Sequence, residues 1–122
     1  MRDILIFGTA LFILIGCHTA NKSFKDGHQA SETIQPAEAL SLIAKSDCNT
    51  CHKIEERVVG PSWTEVANRY TDSKKDVEYL SSKIKNGGKG KWGEMPMVPH
   101  PMLTRDEAKT IVLYLLTLKT NK

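Results

Sequence analysis

The chain has 122 residues, of which 40% are hydrophobic, 25% charged and 7% aromatic, and its formal net charge at pH 7 is +3. A chain of this length fits one domain rather than two. The small net charge and the lack of a run of five or more basic residues argue against nucleic-acid binding.

The N-terminal segment from Ile4 to Cys17 is apolar except for Gly and Thr, and Arg2 precedes it. Its 14 residues are too few for a membrane span, which needs about 20, but they suit the apolar core of an export signal. An A-x-A-like cleavage site is missing, because His18 lies two positions before Ala20. The segment therefore predicts export without ordinary signal-peptide cleavage.

The end of this segment, Leu14-Ile15-Gly16-Cys17, resembles the lipobox of bacterial lipoproteins, in which the cysteine is acylated and becomes the first mature residue. The resemblance implies a lipoprotein signal peptide at residues 1–16 and lipidation of Cys17. The protein would then be exported and lipid-anchored to a bacterial membrane, facing the periplasm or the cell exterior. The alternative is that Cys17 is a buried thiol in an uncleaved anchor.

Residues 17–35 are predicted to be a flexible, lipid-anchored tether. The stretch from Asn21 to Gln35 has no sustained apolar period and is rich in Ser, Lys, Asp and Gly. Residues 36–122 form the predicted folded domain, in which helical spacing recurs and no alternating run is long enough for a confident strand. The predicted fold class is therefore all-α.

The first two predicted helices flank the middle of the chain. Pro36 suits a first helical position, and the apolar stripe that follows runs into Cys48. The second helix covers Ser62 to Tyr70, because Ser62 and Glu65 match the S-x-x-E capping box.

Two longer helices are predicted in the C-terminal half. Ser73 caps the third helix, and Gly87 stops it. Thr104 and Glu107 form a second capping box, which begins the last helix. The intervening residues 87–103 contain four Gly and three Pro without an apolar period, and loops of this length are usually functional.

The motif that carries chemistry is Cys48-Asn49-Thr50-Cys51-His52, which is C-x-x-C-H, the attachment motif of a c-type haem. Two thiols three residues apart can each form a thioether to a haem vinyl group, and the adjacent imidazole can reach the iron. One covalent haem c, attached through Cys48 and Cys51, is therefore predicted.

Three other interpretations of the two cysteines stay open. A thioredoxin-like dithiol belongs near a βαβ pattern, and no strands are evident. Structural zinc needs four ligands, and His100 is the only further one in the domain, at an unusual spacing. A disulfide between Cys48 and Cys51 would close a very small loop, which stabilises little.

A second iron ligand has four candidates in the long loop: Met95, Met97, His100 and Met102. Three Met within eight residues of a Pro-rich, non-helical stretch are not a core pattern, so at least one Met is predicted to be a ligand. A His/Met pair gives a raised reduction potential and no open position for substrate, which favours electron transfer.

The stretch from Pro36 to Lys119 resembles a class I cytochrome c of the short bacterial type in the order and spacing of its motifs. The resemblance implies a small fold of about four helices around one covalently attached haem. It also implies that the carbonyl of Pro61 accepts a hydrogen bond from His52. Within Met95-Pro96-Met97, the Met that directly follows Pro is the family's ligand, which selects Met97.

Further site residues follow from the same resemblance. Trp92, through its indole N–H, and Lys83 are expected to bind the haem propionates. His100 stands where related proteins often carry an Asn that hydrogen-bonds the axial sulfur, so His100 stays open as a ligand or as a residue that tunes the potential.

The predicted function is one-electron transfer between membrane or periplasmic respiratory partners, and the protein is not expected to be an enzyme. Lysines without intervening acidic residues suggest a basic rim that attracts acidic redox proteins. These lysines are Lys83, Lys85, Lys89 and Lys91. The alternatives are a haem subunit of a larger oxidoreductase, or a peroxidase-like or gas-binding protein if the Met ligand is labile.

Overall fold

The computed structural model describes residues 35–120. The predicted signal peptide, the lipidation site Cys17 and the tether up to residue 34 lie outside this range. Within it, none of the helices has the length and hydropathy that a membrane span requires. The elements are α1 (Pro36–Lys45), α2 (Cys48–Cys51), α3 (Trp63–Arg69), α4 (Lys74–Asn86), β1 (Gly88–Gly90), β2 (Gly93–Met97) and α5 (Arg105–Leu116).

The predicted helix starts are confirmed at α3, α4 and α5. Ser62 and Thr104 each form a complete capping box with the Glu three residues later, and Ser73 accepts from the backbone N–H of Asp76. These caps satisfy backbone donors that a helix leaves unpaired at its first turn. The sequence signals therefore fix where each helix begins.

The first helix is shorter than predicted, because it ends at Lys45 rather than running into Cys48. Asp47 has φ 55°, in the left-handed region, which interrupts the helix. Asp tolerates this conformation better than most residues. The break lets α2, which carries both cysteines, start in a new direction.

The segment predicted to be a loop contains a two-stranded antiparallel hairpin, so the prediction was wrong there. Gly88 pairs with Met97 and Gly90 with Gly93, with an irregularity between them. Every residue of the two strands is exposed except the half-buried Met97. A strand without a buried face has no apolar alternation, so the pattern that predicts strands was absent.

The core lies around α5, which contacts α1, α3 and α4. Its buried side chains come from all four of these helices and from the loop residue two positions before α5. They are Ile43, Trp63, Val77, Ile84, Leu103, Ala108, Ile111 and Val112. Several of these side chains also form one wall of a cavity.

Candidate functional site

The site is a mostly apolar cavity of about 450 Å³ between the helices, the loop after α2 and the hairpin. Cofactor pockets typically combine such an apolar lining with a few polar groups. The apolar wall includes Ile43, Trp63, Val66, Leu80, Ile111 and Leu115.

Cys48 and Cys51 both line the cavity from α2, and both are half-buried free thiols. Burial is the largest cause that raises the pKa of the Cys48 thiol. The structure does not contain the alternative disulfide, because Cys48 and Cys51 are both free thiols. Within residues 35–120, no three His, Cys, Asp or Glu side chains are grouped as the ligands of a metal ion would be.

His52 follows α2 directly and also lines the cavity. Its Nδ1 lies 2.7 Å from the carbonyl oxygen of Pro61, as the resemblance implied. Because a carbonyl oxygen only accepts, Nδ1 carries the proton and Nε2 holds a lone pair. This hydrogen bond fixes the ring in the tautomer that binds a metal through Nε2.

Gly60 makes room for this imidazole. A Cβ at position 60 would lie 2.9 Å from Nδ1 of His52 and closer still to Cε1. The backbone N–H of Gly60 donates to the carbonyl of Cys51 at 2.9 Å. This hydrogen bond holds the loop after α2 against the C-x-x-C-H motif. The glycine in Gly60-Pro61 thus has a steric role that spacing alone did not show.

The structure separates the four candidates for the second ligand. Met97, Met95 and His100 line the cavity, whereas Met102 does not and is 93% exposed. Met95 is 68% exposed, while Met97 is half-buried and packs against the core. Met97 is therefore the methionine that the fold holds most firmly at the cavity.

Trp92 and Lys83 also line the cavity. The indole ring of Trp92 lies between two guanidinium groups, with Arg69 at 4.9 Å and Arg57 at 5.6 Å from its centroid. Arg57 also donates to the backbone carbonyl of Trp92 at 3.3 Å and pairs with Glu65 at 2.8 Å. These arginines were not predicted as part of the site, because they are distant from Trp92 along the chain.

Tyr70 and Tyr79 add an aromatic pair to the lining, with ring centroids 5.7 Å apart. Among the described residues, the Tyr70 hydroxyl is the buried side-chain oxygen without a hydrogen-bond partner. Burial is the largest cause that raises the pKa of Tyr70, and Tyr79 adds to it, although no hydrogen bond of normal geometry joins the two hydroxyl groups. Nζ of Lys83 lies 5.7 Å from the Tyr79 ring centroid.

The four lysines of the predicted rim have different surroundings. Lys83, Lys89 and Lys91 line the cavity, and Lys89 pairs with Glu94 at 3.0 Å. Lys85 instead donates to the carbonyl oxygens of Pro101 and Leu103, so it holds the loop before α5. Lys85 is therefore a structural lysine rather than part of the cavity rim.

The comparisons with known proteins define the class. The Cytochrome c family model matches residues 37–119, and the chain belongs to this family.

Its relatives are small bacterial proteins. Cytochrome c-552 of Nitrosomonas europaea is 40% identical over 78 residues, which cover 64% of this chain and 76% of that protein. Cytochrome c-551 of Azotobacter vinelandii is 43% identical over 78 residues, covering 64% of this chain and 94% of that protein. The crystal structure of wild-type N. europaea cytochrome c552 superposes with a TM-score of 0.61 at 39% identity, covering 66% of this chain and 99% of the other.

The protein is thus a class I monohaem cytochrome c with a small all-α cytochrome fold, as the sequence predicted. It binds one haem c covalently through Cys48 and Cys51, next to His52. The cavity fits this group, because its lining is apolar, both thiols are free, and Nδ1 of His52 is held by a carbonyl. The class is that of small electron carriers, and no catalytic family is indicated.

Proposed function

We propose that this protein is an exported, lipid-tethered electron carrier whose haem iron is held by His52 and Met97. The observation that carries the ligand assignment is the placement of Met97. It is the one half-buried residue of the otherwise exposed strands β1 and β2, and it lines the same cavity as His52. When bound, haem c supplies a one-electron couple, and two protein ligands leave no position for a substrate.

The surrounding side chains suit a carrier. The hydrogen bond from Nδ1 of His52 to the carbonyl of Pro61 orients the ring for binding through Nε2. Trp92 and Lys83 are proposed to donate to the haem propionates. The apolar wall excludes water from the iron, which helps to keep the potential high.

Partners are proposed to dock transiently at the cavity mouth. Val59, Met95 and Val98 line the cavity and are about half or more exposed. Lys83, Lys89 and Lys91 add positive charge near them, which would speed encounters with acidic redox proteins at low salt. The donor and the acceptor are thus expected to be acidic around their own electron-transfer sites.

Optical spectroscopy of the ferric protein tests the ligand assignment. Met97→Ala should abolish the weak far-red band that a sulfur-to-iron bond produces. Met102→Ala is the matched control, because Met102 lies outside the cavity lining, and the band should persist. A band that survives Met97→Ala would assign the ligand to another residue. A high-spin spectrum of the native protein would instead favour the peroxidase-like or gas-binding alternative.

A mass spectrum of the mature protein tests localisation and cofactor together. We expect a mass equal to residues 17–122 plus one haem and the acyl groups on Cys17. A mass that includes residues 1–16 would contradict cleavage before Cys17. Purification in detergent separates a free carrier from the haem subunit of a larger oxidoreductase, because the subunit would co-purify with its complex.

The docking proposal is tested by electron-transfer rates with acidic and basic redox proteins at increasing salt. Lys91→Gln should slow the reaction with the acidic partner at low salt. Lys75→Gln is the control, because Lys75 is exposed at the start of α4 and does not line the cavity. If both variants slowed electron transfer equally, the result would contradict docking at the cavity rim.

A further inference from the structure

Two histidines line the same cavity, and a backbone carbonyl holds each of them in a similar way. Nδ1 of His52 faces the carbonyl of Pro61 at 2.7 Å, and Nδ1 of His100 faces the carbonyl of Ile84 at 3.3 Å. The same Ile84 carbonyl accepts the backbone N–H of His100 at 3.0 Å. A carbonyl oxygen has two lone pairs, so it can serve both donors.

This arrangement selects the tautomer of a neutral His100 ring as well as its position. Because the carbonyl of Ile84 only accepts, the proton of a neutral His100 ring lies on Nδ1 and the lone pair on Nε2. Metal-binding histidines nearly always donate their other ring N–H to a carbonyl, a carboxylate or water. His100 therefore has the tautomer of an iron ligand while Met97 holds that position.

We propose that His100 is a reserve ligand, which binds the haem iron through Nε2 when the thioether of Met97 leaves. The proposal rests on the proposed His52/Met97 pair. In the exchange the iron–sulfur bond breaks and an iron–nitrogen bond forms. The neutral imidazole supplies its own lone pair, so neither a proton nor an electron is transferred.

The exchange would keep the iron six-coordinate and closed to small oxidants, in contrast to the peroxidase-like alternative. It would also lower the reduction potential, because a Met ligand raises the potential relative to His.

Other groups at the cavity are poorer substitutes. The side chain of Met95 is 68% exposed, so few packing contacts hold its thioether at the cavity. The ammonium groups of the rim lysines are donors without a lone pair, so they do not bind a metal in that form. His100 is half-buried, and its backbone is fixed to α4 at Ile84.

The test uses the full-length, haem-loaded protein at neutral pH. Met97→Ala should lose the far-red band and remain low-spin, because His100 fills the position. Met97→Ala/His100→Asn should become predominantly high-spin in optical and electron paramagnetic resonance spectra. It should also bind cyanide at least about ten times faster than Met97→Ala, since no internal ligand must first dissociate.

Two controls keep the result specific. His100→Asn alone should retain the far-red band, and Met97→Ala/Met95→Leu should remain low-spin. A high-spin Met97→Ala variant, or a low-spin Met97→Ala/His100→Asn variant, would overturn the reserve role of His100. A far-red band that persists in Met97→Ala would instead contradict the proposed function itself, so the two failures are distinguishable.

Discussion

The helical framework (α1, α4 and α5) and the hairpin (β1 and β2) are held in place by different forces. The framework buries side chains such as Ile43, Ile84 and Ile111 against one another. Within strands β1 and β2, Met97 is the one residue that is half-buried. Burial of apolar surface stabilises the framework by about 1.5 to 3 kcal/mol for each large side chain, and the hairpin lacks almost all of this contribution.

The hairpin is instead fixed by a few directed contacts around its base and tip. Gly87 packs against the backbone of residues 97–99, and His100 bonds to the carbonyl of Ile84. Arg57 bonds to the backbone carbonyl of Trp92 near the tip. The framework therefore rests on apolar burial, whereas the hairpin, which carries the proposed ligand Met97, rests on local geometry and a few hydrogen bonds.

Removal of the haem linkage should have the largest effect. In Cys48→Ser/Cys51→Ser no thioether can form, so acidified organic solvent should extract all of the haem, whereas it should extract none from the wild type. Without the covalent haem, trypsin should cleave first after Lys89 or Lys91, because both lysines are exposed and the strands beside them bury almost no apolar surface. Cys17→Ser should retain its haem, and covalent haem in the double variant would contradict the assignment of the linkage.

The second-largest effect is expected when a substitution leaves a cavity in the core of the helical framework. Leu103 is buried at 7% exposure in the core cluster and does not line the haem cavity. Leu103→Ala should lower the free energy of unfolding by about 3 kcal/mol, measured by denaturant titration, while the far-red band persists. Its neighbour Met102 is almost fully exposed, so Met102→Ala should change stability by less than about 0.5 kcal/mol. Equal losses in the two variants would contradict the packing described.

The two regions also differ in how far the sequence predicts them. The framework was predictable because its helices have apolar stripes and capping residues such as Ser62 and Thr104, whose side chains act within one turn. The hairpin was not, because its exposed strands carry no alternation and its backbone depends on glycines with positive φ. The break at Asp47 was missed for a similar reason, since one left-handed residue leaves no periodic signal.

The site shows the same division. The C-x-x-C-H motif and the contact between His52 and Pro61 could be anticipated, because motif and resemblance carry them locally. The stacking of Arg57 and Arg69 on Trp92 could not, because it depends on tertiary packing. Lipidation of Cys17 stays a prediction.

Gly87→Ala should disturb the position of the proposed ligand Met97 more than the packing of the helical framework. Gly87 has φ 66°, and an added Cβ would lie 2.9 Å from the backbone nitrogen of Pro99 and closer still to the carbonyl oxygen of Met97. We expect a loss of about 2 kcal/mol in stability and a weaker far-red band. In Gly90→Ala, φ is also positive at 121°, but no atom lies within 4 Å of the added Cβ. Gly90→Ala should therefore keep the far-red band. If Gly90→Ala also lost the band, backbone strain at a positive φ would explain the loss in both variants, without the contact between residue 87 and the backbone of residues 97–99.

The smallest effect concerns the ion pair that joins the loop after α2 to α3. The hydrogen bond from Arg57, followed by that from the backbone of Ser62, lowers the pKa of Glu65 below its ordinary value of 4.5. A lowered folded pKa contributes stability that is present above pH 4.5 and is lost as the pH falls through the folded value. Glu65→Gln should therefore lower Tm by no more than about 4 °C at pH 7, and the difference from wild type should shrink on acidification. Glu56→Gln is the control, because Glu56 is exposed and forms no salt bridge within residues 35–120. If the Tm difference between Glu65→Gln and the wild type grew below pH 4, the proposed link between the ion pair and pH would be wrong.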